Sequence, residues 1–226
     1  MNKIRNKILN QCETLMLDMD GTVLDLSYDS HIWLKIIPEK LAEKRDIPIS
    51  AAISLMNEHV IRMKNTLEWY CIDNWSELLD IDILEIHRAE KARIRYLPGA
   101  KSFLQEISNS SIRIILVSNS HRDTLNLKLN ETDFGDYFEA IYISHDFFYP
   151  KENPLFWEEL MKKESFKKNR TVFVDDNQSV LESASIFGIK SLIQILNPDS
   201  QRPVLKSSNF FGVKNLSFLL TQNNDD

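Results

Sequence analysis

Cysteine is scarce in this 226-residue chain, which contains only Cys12 and Cys71. Two cysteines cannot form the disulfide framework on which many small secreted domains depend, and neither lies in the spacing of a zinc site. The five histidines are scattered along the chain and show no metal-ligand spacing. A reducing compartment, the cytoplasm, is therefore expected.

Long hydrophobic runs and an excess of positive charge are also missing. No segment approaches the roughly 20 apolar residues of a membrane-spanning helix. Residues 1–11 lack the apolar core of a signal peptide, so no membrane association is expected. The net charge of −6 disfavours a partner such as nucleic acid, which needs a basic face. A small anionic substrate is still compatible with this charge, because a metal ion and a few lysines can dominate the local field.

The second half of the chain alternates between short apolar runs and helical patterns. Apolar, β-branched runs are typical of strands that are buried on both faces of a sheet. Strands separated by helices predict an α/β fold, with a parallel sheet and helices on both faces. The predicted strands are residues 15–17, 112–117, 140–143, 171–174 and 191–195, and the predicted helices are residues 100–107, 122–129, 154–163 and 178–187.

Residues 27–96 interrupt this alternation after the first strand. Their apolar residues, such as Met56 and Val60, recur at helical spacing, and no convincing strand is visible. A helical insertion of roughly domain size is predicted, with 1–26 and 97–226 forming the core domain. The sequence leaves open whether the chain is a monomer or a homodimer, since an apolar face of the insertion could mediate dimerisation.

The stretch Asp18-Met19-Asp20-Gly21-Thr22 directly follows the first predicted strand. Two carboxylates at this spacing point to the same side of the backbone, and the glycine lets the chain turn sharply after them. Carboxylates this close repel each other unless a cation or a proton intervenes, and their oxygen atoms suit Mg²⁺. One carboxylate could attack a phosphorus atom while the other transfers protons. Taken alone, the same residues could form a simple polar turn.

Polar residues also follow the other predicted strands. Ser118-Asn119 ends the second, Lys151 follows the third, and Asp175-Asp176 ends the fourth. The carboxyl ends of parallel strands lie at one edge of a sheet, where ligands bind, so these positions are expected to converge on one site. Each position has a simpler interpretation, because Ser118 and the acidic pair could cap helices and Lys151 could be an exposed surface lysine.

Together these segments resemble the signatures of the haloacid dehalogenase superfamily. The resemblance covers the whole core, and all four signatures occur in order: Asp18-x-Asp20-Gly21-Thr22, the hydroxyl residue Ser118, Lys151, and Asp175-Asp176. It implies a Rossmann-like core and places residues 27–96 where the superfamily carries its helical C1 cap. Because most members are phosphatases, it also implies phosphate-ester chemistry.

The resemblance implies a role for each signature residue. Asp18 would attack the phosphoryl group and form an aspartyl-phosphate, and Asp20 would protonate the leaving alcohol and then activate a water molecule. Ser118 and the backbone of Asn119 would bind phosphoryl oxygens. Lys151 would neutralise charge on the nucleophile and on the phosphate. Positioning and charge stabilisation supply most of the catalysis of phosphoryl transfer, so this set is chemically sufficient.

The resemblance also implies a Mg²⁺ cofactor. Asp18, the backbone carbonyl of Asp20 and Asp176 would bind the ion, and Asp175 would bind it directly or through water. A second aspartate at position 20 favours phosphate esters over carbon–halogen bonds, because a halide needs no acid to leave. A phosphomutase is a weaker alternative, since it would need the insertion to bind a second phosphate, and the insertion shows no clear basic cluster beyond Arg93 and Arg95. A non-catalytic binding protein is disfavoured because all the signature residues are present.

The inserted segment should carry substrate specificity. Its aromatic run contains Trp69 and Trp75, and a second candidate region with Asp29 and Trp33 follows the first motif. These aromatic rings could stack against a planar base, although each could equally belong to the core of the insertion.

A closer resemblance covers nearly the whole chain. It rests on Asp25-Leu26-x-x-Asp29, Trp33, the run from Asn65 to Ser76, Tyr149-Pro150-Lys151-Glu152 and Asn197-Pro198-Asp199-Ser200. These residues look like those of bacterial GMP/IMP-specific 5′-nucleotidases of the same superfamily, which implies a purine mononucleotide substrate. A phosphatase of a sugar phosphate or of phosphoglycolate is the alternative, because only the insertion would differ.

Overall fold

A computed structural model describes residues 8–206 and 209–220, and a six-stranded parallel sheet forms its centre. The strand order is β3-β2-β1-β4-β5-β6, and every neighbouring pair is parallel. The predicted α/β fold is confirmed, and the last strand was not predicted. The strands are β1 (Thr14–Leu17), β2 (Arg113–Ser118), β3 (Ala140–Ile143), β4 (Thr171–Asp175), β5 (Ser191–Ile195) and β6 (Phe211–Val213).

The helices of the core follow the predicted pattern closely. They are α7 (Ala100–Ile107), α8 (Arg122–Glu131), α9 (Pro154–Lys163) and α10 (Gln178–Phe187). Short 3₁₀ helices occur at Leu9–Gln11, Lys91–Arg93, Phe134–Tyr137, Ser144–Phe147, Lys168–Arg170 and Leu216–Leu219.

Helices cover both faces of the sheet, as its composition requires. Every residue of β1 and β4 is buried, so neither face of these strands can be left to water. One apolar cluster joins Leu15 and Leu17 of β1 to Phe103 of α7 and Leu125 of α8. The other joins Met16 to side chains of α9 and α10. The alternation of Leu15, Met16 and Leu17 between the two clusters follows from the two-residue period of a strand.

Residues 27–93 contain only helices and their connections. α1 (Ser27–His31) continues through a π-helical turn, Ile32–Ile36, into α2 (Ile37–Arg45). The further helices are α3 (Ile49–Met63), α4 (Leu67–Tyr70), α5 (Ile72–Leu79) and α6 (Ile83–Ala89). They enclose a third apolar cluster of their own, which includes Met56, Trp75 and Ile83.

The chain leaves and re-enters the core at one place. Leu24 forms an isolated antiparallel bridge with Tyr96, and the Leu97 N–H donates to the Val23 carbonyl at 2.9 Å. The helical segment therefore starts and ends beside the first motif. The division into a core of residues 1–26 and 97–226 and a cap of residues 27–96 stays a prediction, and residues 1–7, 207–208 and 221–226 of that core lie outside the described part. Within the described residues, every helix is too short or too polar to span a bilayer.

Candidate active site

The ends of three neighbouring strands place the predicted site residues side by side. β1 lies between β2 and β4, and Leu17 is in register with both Leu116 and Val174. Asp18 therefore stands one step beyond the end of β1, level with the ends of the other two strands. Ser118 is the last residue of β2 and Asp175 the last of β4, so the register alone brings the three side chains to one edge.

Gly21 allows the loop after β1 to fold back against Asp176. Its φ angle of +87° lies in the left-handed region, which side chains with a Cβ atom rarely adopt. A Cβ atom at this position would lie 2.8 Å from both Cγ and Oδ2 of Asp176. The glycine is thus required both by the backbone conformation and by the close approach of the fourth motif.

Lys151 joins two of the motifs directly. Its side chain is only 2% exposed, and its Nζ donates to Asp18 Oδ1 at 2.5 Å, to Asp175 Oδ2 at 2.7 Å and to the Val117 carbonyl at 3.1 Å. Its own backbone is fixed as well, because its N–H donates to Asn119 Oδ1 at 2.9 Å. Lys151 is therefore a buried cation between carboxylates and not the exposed surface lysine of the simpler interpretation.

Asp18, Asp175 and Asp176 form an acidic group at this edge. One carboxylate oxygen from each lies within 4.8 Å of the others. Burial, reinforced by the Asp175 carboxylate and opposed by Lys151, raises the pKa of Asp18 to about 8. Burial and the neighbouring carboxylates Asp175 and Asp18 also raise the pKa of Asp176 well above its ordinary value. Three carboxylates face one ammonium group, so oxygen ligands and an excess of negative charge both fit a divalent cation.

The phosphate-binding candidates lie next to this group. Ser118 is buried, and its Oγ accepts a hydrogen bond from the Ser120 N–H at 3.1 Å, which leaves the hydroxyl hydrogen available for another acceptor. The Asn119 side chain is used at both ends, because its Oδ1 accepts from Lys151 and its Nδ2 donates to Glu152 Oε2 at 2.9 Å. A contact of Asn119 with substrate is therefore left to its backbone N–H.

Asp20 lies outside this acidic group and pairs with a different lysine. The Nζ of Lys128, on α8, donates to Asp20 Oδ1 at 2.7 Å and to Asp29 Oδ2 at 2.9 Å. Burial and the nearby Asp29 carboxylate raise the pKa of Asp20 to about 6, against the opposing effect of Lys128. A carboxyl group that titrates near neutral pH can both donate and accept a proton.

Lys128 was not among the site residues predicted from the sequence. A usable signal was present, because Lys128 follows Thr124 by four residues and Leu125 by three, and both are buried on α8. Helical spacing thus places a lysine on the buried side of the helix. It does not reveal the two carboxylates, which come from distant segments of the chain.

A cavity of about 610 Å³ lies over the strand ends. Its floor contains Asp18, Asp20, Ser118, Asn119, Lys151, Asp175 and Asp176 from the core, and its walls contain Asp29, Trp33, Trp69 and Trp75 from the helical segment. All the sequence-predicted site residues therefore line one space. Aliphatic side chains of the helical segment, such as Ile53, Met56 and Val60, also line the cavity.

The three tryptophans of the helical segment pack edge to face. The ring centroids of Trp33 and Trp69 lie 5.2 Å and 5.9 Å from that of Trp75. Trp75 is only 2% exposed, and its Nε1–H donates to the Trp69 carbonyl at 2.9 Å. Trp75 is thus largely a core residue that supports the other two, whereas Trp33 and Trp69 keep part of their surface free.

A second group with metal-ligand chemistry lies where the helical segment approaches the core. Cys71, Asp73 and His121 each offer one ligand atom, and these atoms lie within 4.8 Å of one another. No ligand spacing along the chain marks this group, because the three residues come from two separate helix ends. The Asp73 side chain is 75% exposed.

The arrangement at the strand ends agrees with a family-wide comparison of sequences. Residues 15–193 match the model of the haloacid dehalogenase-like hydrolases. This chain belongs to that family. The matched range begins within β1 and ends within β5, so it includes all four motifs and the helical segment.

Relatives of this haloacid dehalogenase-like hydrolase support the same assignment. It is similar to the GMP/IMP nucleotidase YrfG of Escherichia coli K12, with 34% identity over 188 residues, or 83% of this chain and 85% of the relative. The predicted resemblance is confirmed. The chain is a hydrolase, and its assignment to the phosphoric monoester hydrolases agrees with the name of this relative.

Solved structures share the fold at low sequence identity. A phosphatase of the same superfamily from Thermococcus onnurineus has a TM-score of 0.75 and 18% identity, covering 92% of this chain and 95% of that chain. The L-2-haloacid dehalogenase from Xanthobacter autotrophicus has a TM-score of 0.66 and 14% identity, covering 92% and 97%. Because one is a phosphatase and the other a dehalogenase, the shared fold does not by itself select the reaction.

Proposed function

We propose that this hydrolase is a Mg²⁺-dependent phosphatase of purine 5′-mononucleotides that works through an aspartyl-phosphate. One observation carries the proposal: the Asp18–Lys151 pair lines the same cavity as aromatic and aliphatic side chains of the helical segment. A phosphate would meet the charged floor, and a planar base would meet the apolar wall. The cavity volume is within the range of about 300–1,000 Å³ that is common for small-molecule sites.

Asp18 is the proposed nucleophile. Lys151 binds its Oδ1, which orients the carboxylate and offsets part of the charge that arrives with a phosphate. A carboxylate oxygen of Asp18 would attack the phosphorus while the bond from phosphorus to the nucleoside oxygen breaks. The electron pair of that bond stays on the nucleoside oxygen, which then needs a proton.

Asp20 is the proposed source of that proton. It gives the proton to the departing nucleoside oxygen and then takes a proton from the water molecule that hydrolyses the aspartyl-phosphate. Inorganic phosphate is released and Asp18 is free again. Ser118 and the Asn119 backbone N–H would hold phosphoryl oxygens during both steps, since each offers a donor at the same strand end.

The acidic group is the proposed Mg²⁺ site. Asp18 and Asp176, with the backbone carbonyl of Asp20, would hold the ion, and Asp175 would bind it directly or through water. Mg²⁺ would neutralise the charge that develops on the phosphoryl oxygens. Lys151 already occupies Asp175 Oδ2 at 2.7 Å, which favours the indirect role for Asp175.

The aromatic wall supports a nucleotide over the alternative substrates. A sugar phosphate or phosphoglycolate offers no planar apolar group to Trp33 and Trp69, whereas a purine base does. The name of the relative YrfG points to the same substrates. A phosphomutase would need cations for a second phosphate, but Arg95 pairs with Asp25 and Arg93 with Glu90, and neither lines the cavity.

The most direct test is phosphate release from a panel of esters in the presence of Mg²⁺. GMP, IMP, AMP, CMP, ribose 5-phosphate and phosphoglycolate are measured side by side as kcat/KM. Ribose 5-phosphate is the key comparison, because it presents the phosphate and the sugar of the nucleotide without its base. Strong preference for GMP and IMP is expected. A preference for ribose 5-phosphate or phosphoglycolate would discard the nucleotide assignment while keeping the phosphatase.

Substitution of a tryptophan then tests where the purine base binds. Trp69→Ala should lower kcat/KM for GMP by about 5-fold to 150-fold, the range expected for loss of one base–aromatic stack, and should leave ribose 5-phosphate nearly unchanged. Trp75→Ala is expected to lower the melting temperature as well, because Trp75 is buried. Phe211→Ala, an exposed aromatic on β6, is the matched control. An unchanged ratio of GMP to ribose 5-phosphate turnover in Trp69→Ala and Trp75→Ala would remove the aromatic wall as the base site.

We also propose that residues 27–96 act as a cap over the site and that the protein works in the cytoplasm. The cap is supported by the position of the cavity between this segment and the strand ends. Sedimentation of the purified protein would distinguish the monomer from the homodimer, and both stay open.

A further inference from the structure

Lys128 is a buried cation that the proposed reaction does not yet use. Its side chain is 2% exposed. Its Nζ donates to Asp20 Oδ1 at 2.7 Å, and to Oδ1 and Oδ2 of Asp29 at 3.0 Å and 2.9 Å. A buried ammonium group is costly unless charged partners surround it, so these contacts define where the group can stay.

Three separate parts of the fold hold this ammonium group. Lys128 lies on α8, Asp20 lies in the loop after β1, and Asp29 lies on α1 of the helical segment. The ring of Tyr28 faces Nζ, whose distance from the ring centroid is 5.4 Å. Tyr28 is itself fixed, because its hydroxyl donates to the His87 carbonyl at 2.8 Å. The lysine therefore cannot move without disturbing the helical segment and the core together.

We propose that Lys128 is a positioning residue that orients the Asp20 carboxyl group for proton transfer, and that Asp29 holds Lys128 in place. The proposal rests on the proposed function, since it has meaning only if Asp20 exchanges protons with the substrate. Lys128 occupies Oδ1 of Asp20, so a proton carried by Asp20 is directed to Oδ2. The oxygen that donates the proton is thereby fixed before the substrate arrives.

Two substrates with different leaving groups separate proton donation from every other contribution. The leaving group of GMP is guanosine, whose 5′ oxygen needs a proton to depart as an alcohol. In the analogue with sulfur in place of the bridging 5′ oxygen, the nucleoside departs as a thiolate, which is stable without a proton because a thiol is a far stronger acid than an alcohol. The base, ribose and phosphate contacts are otherwise the same. Rapid mixing with excess enzyme gives the rate of nucleoside release in the first turnover for each substrate.

Lys128→Met should slow nucleoside release from GMP by about 100-fold, the lower end of a lost general acid. Release from the sulfur analogue should change by less than about threefold, since no proton is needed. KM for GMP should change little. Asp20→Asn provides the reference and should show the same pattern with a larger effect. Lys101→Met, which removes an exposed lysine paired with Asp133, is the control and should leave both rates unchanged.

Two further variants keep the proposal testable if Lys128→Met does not fold. Lys128→Arg retains the charge and should recover part of the rate with GMP. Asp29→Asn retains Lys128 but removes one of its anchors, so it should slow GMP alone and by less than Lys128→Met. The melting temperature of each variant is measured with its rates.

Equal losses with both substrates would overturn the proposal, because they would assign Lys128 a purely structural role. A higher KM at unchanged release rates would also overturn it and make Lys128 a phosphate contact. The proposed function fails separately and visibly, if the wild-type protein releases no phosphate from GMP or if Asp20→Asn slows both substrates alike.

Discussion

Lys151 and Lys128 are both buried side chains that line the same cavity, but each is surrounded by a different set of carboxylates. Lys151 lies beside the strand ends with three carboxylates around it, one of which, Asp176, it does not contact. Lys128 lies between Asp20 and Asp29 and contacts both. Each lysine side chain is 2% exposed, so burial does not distinguish them.

The two clusters differ in the net negative charge that remains after the positive charge of the lysine is counted. When all three carboxylates around Lys151 are ionised, two negative charges remain unbalanced, which suits a divalent cation. Around Lys128 only one remains, and a single proton on Asp20 would balance it. In the proposed reaction, the Lys151 cluster (Lys151 with Asp18, Asp175 and Asp176) would bind the phosphate and the metal. The Lys128 cluster (Lys128 with Asp20 and Asp29) would exchange a proton.

The largest expected effect belongs to the Lys151 cluster. Asp18→Asn removes the proposed nucleophile but keeps the size of the side chain, so turnover should fall by at least about 10⁴-fold. Steady-state phosphate release from GMP measures it, and Asp46→Asn, an exposed aspartate in a left-handed turn, is the control. Appreciable activity in Asp18→Asn would remove Asp18 as the nucleophile.

Metal dependence should separate the two clusters next. Chelation with EDTA should abolish turnover and added Mg²⁺ should restore it, because the acidic group at the strand ends would lose its cation. Asp176→Asn should raise the Mg²⁺ concentration needed for half-maximal turnover by at least about tenfold, whereas Asp29→Asn should not. Equal shifts in the two variants would mean that the metal is not confined to the Lys151 cluster.

Stability should respond to the two lysines in different ways. Lys128→Met and Lys151→Met each leave buried carboxylates without a cation, which should lower the free energy of unfolding by about 3–5 kcal/mol. Mg²⁺ should recover part of the loss in Lys151→Met, because the ion can replace a positive charge there. It should recover nothing comparable in Lys128→Met. Denaturant unfolding with and without Mg²⁺ tests this, with the wild-type shift subtracted.

The smallest effect concerns Asp25, a buried carboxylate held without a buried lysine. It accepts hydrogen bonds from the Ser200 N–H at 3.1 Å and the Ser27 N–H at 3.0 Å, and it pairs with the half-exposed Arg95. Burial raises the pKa of Asp25, but a hydrogen bond from the Ser200 hydroxyl together with these two backbone hydrogen bonds holds it below its ordinary value. Asp25→Asn should lower the free energy of unfolding by about 1–2 kcal/mol at pH 7.

The pH dependence of that loss has a defined sign. A lowered pKa in the folded state stabilises the protein above the ordinary pKa of about 4, and the contribution disappears as the pH falls through the folded value. The difference between wild type and Asp25→Asn should therefore be constant from pH 6 to 8 and shrink below about pH 4. A difference that grows at low pH would contradict the hydrogen-bond explanation.

Much of the fold could be predicted because its signals are local. The strand at 140–143 and the helix at 154–163 match the structure to the residue, since each has an apolar pattern of one period and a clear boundary. β6, Phe211–Val213, was missed because it has only three residues and pairs at the sheet edge, where little burial is needed. Its register with β5 is a property of the assembled sheet.

The residues of the site also include some whose position could be predicted from the sequence and others whose role depends on packing. Asp18, Ser118, Lys151 and Asp175 follow strands, so strand prediction together with the rule of parallel sheets brings them to one edge. Trp33, Trp69 and Trp75 were candidates for base binding, and only their packing shows that Trp75 supports the other two. The roles of all these residues stay predictions until the variants are measured.

Local sequence patterns were enough to predict the parallel sheet, the helical insertion and the residues at the strand ends, because the periods of strands and helices show in consecutive side chains. The contacts of Lys128 with Asp20 and Asp29 depend on the folded chain, as does the contact of Asp25 with Ser200, 175 residues further along the chain. Such contacts join side chains whose separation along the chain carries no periodic signal. They depend on how the helical segment and the core pack together, and burial then makes each unpaired charge too costly to leave alone.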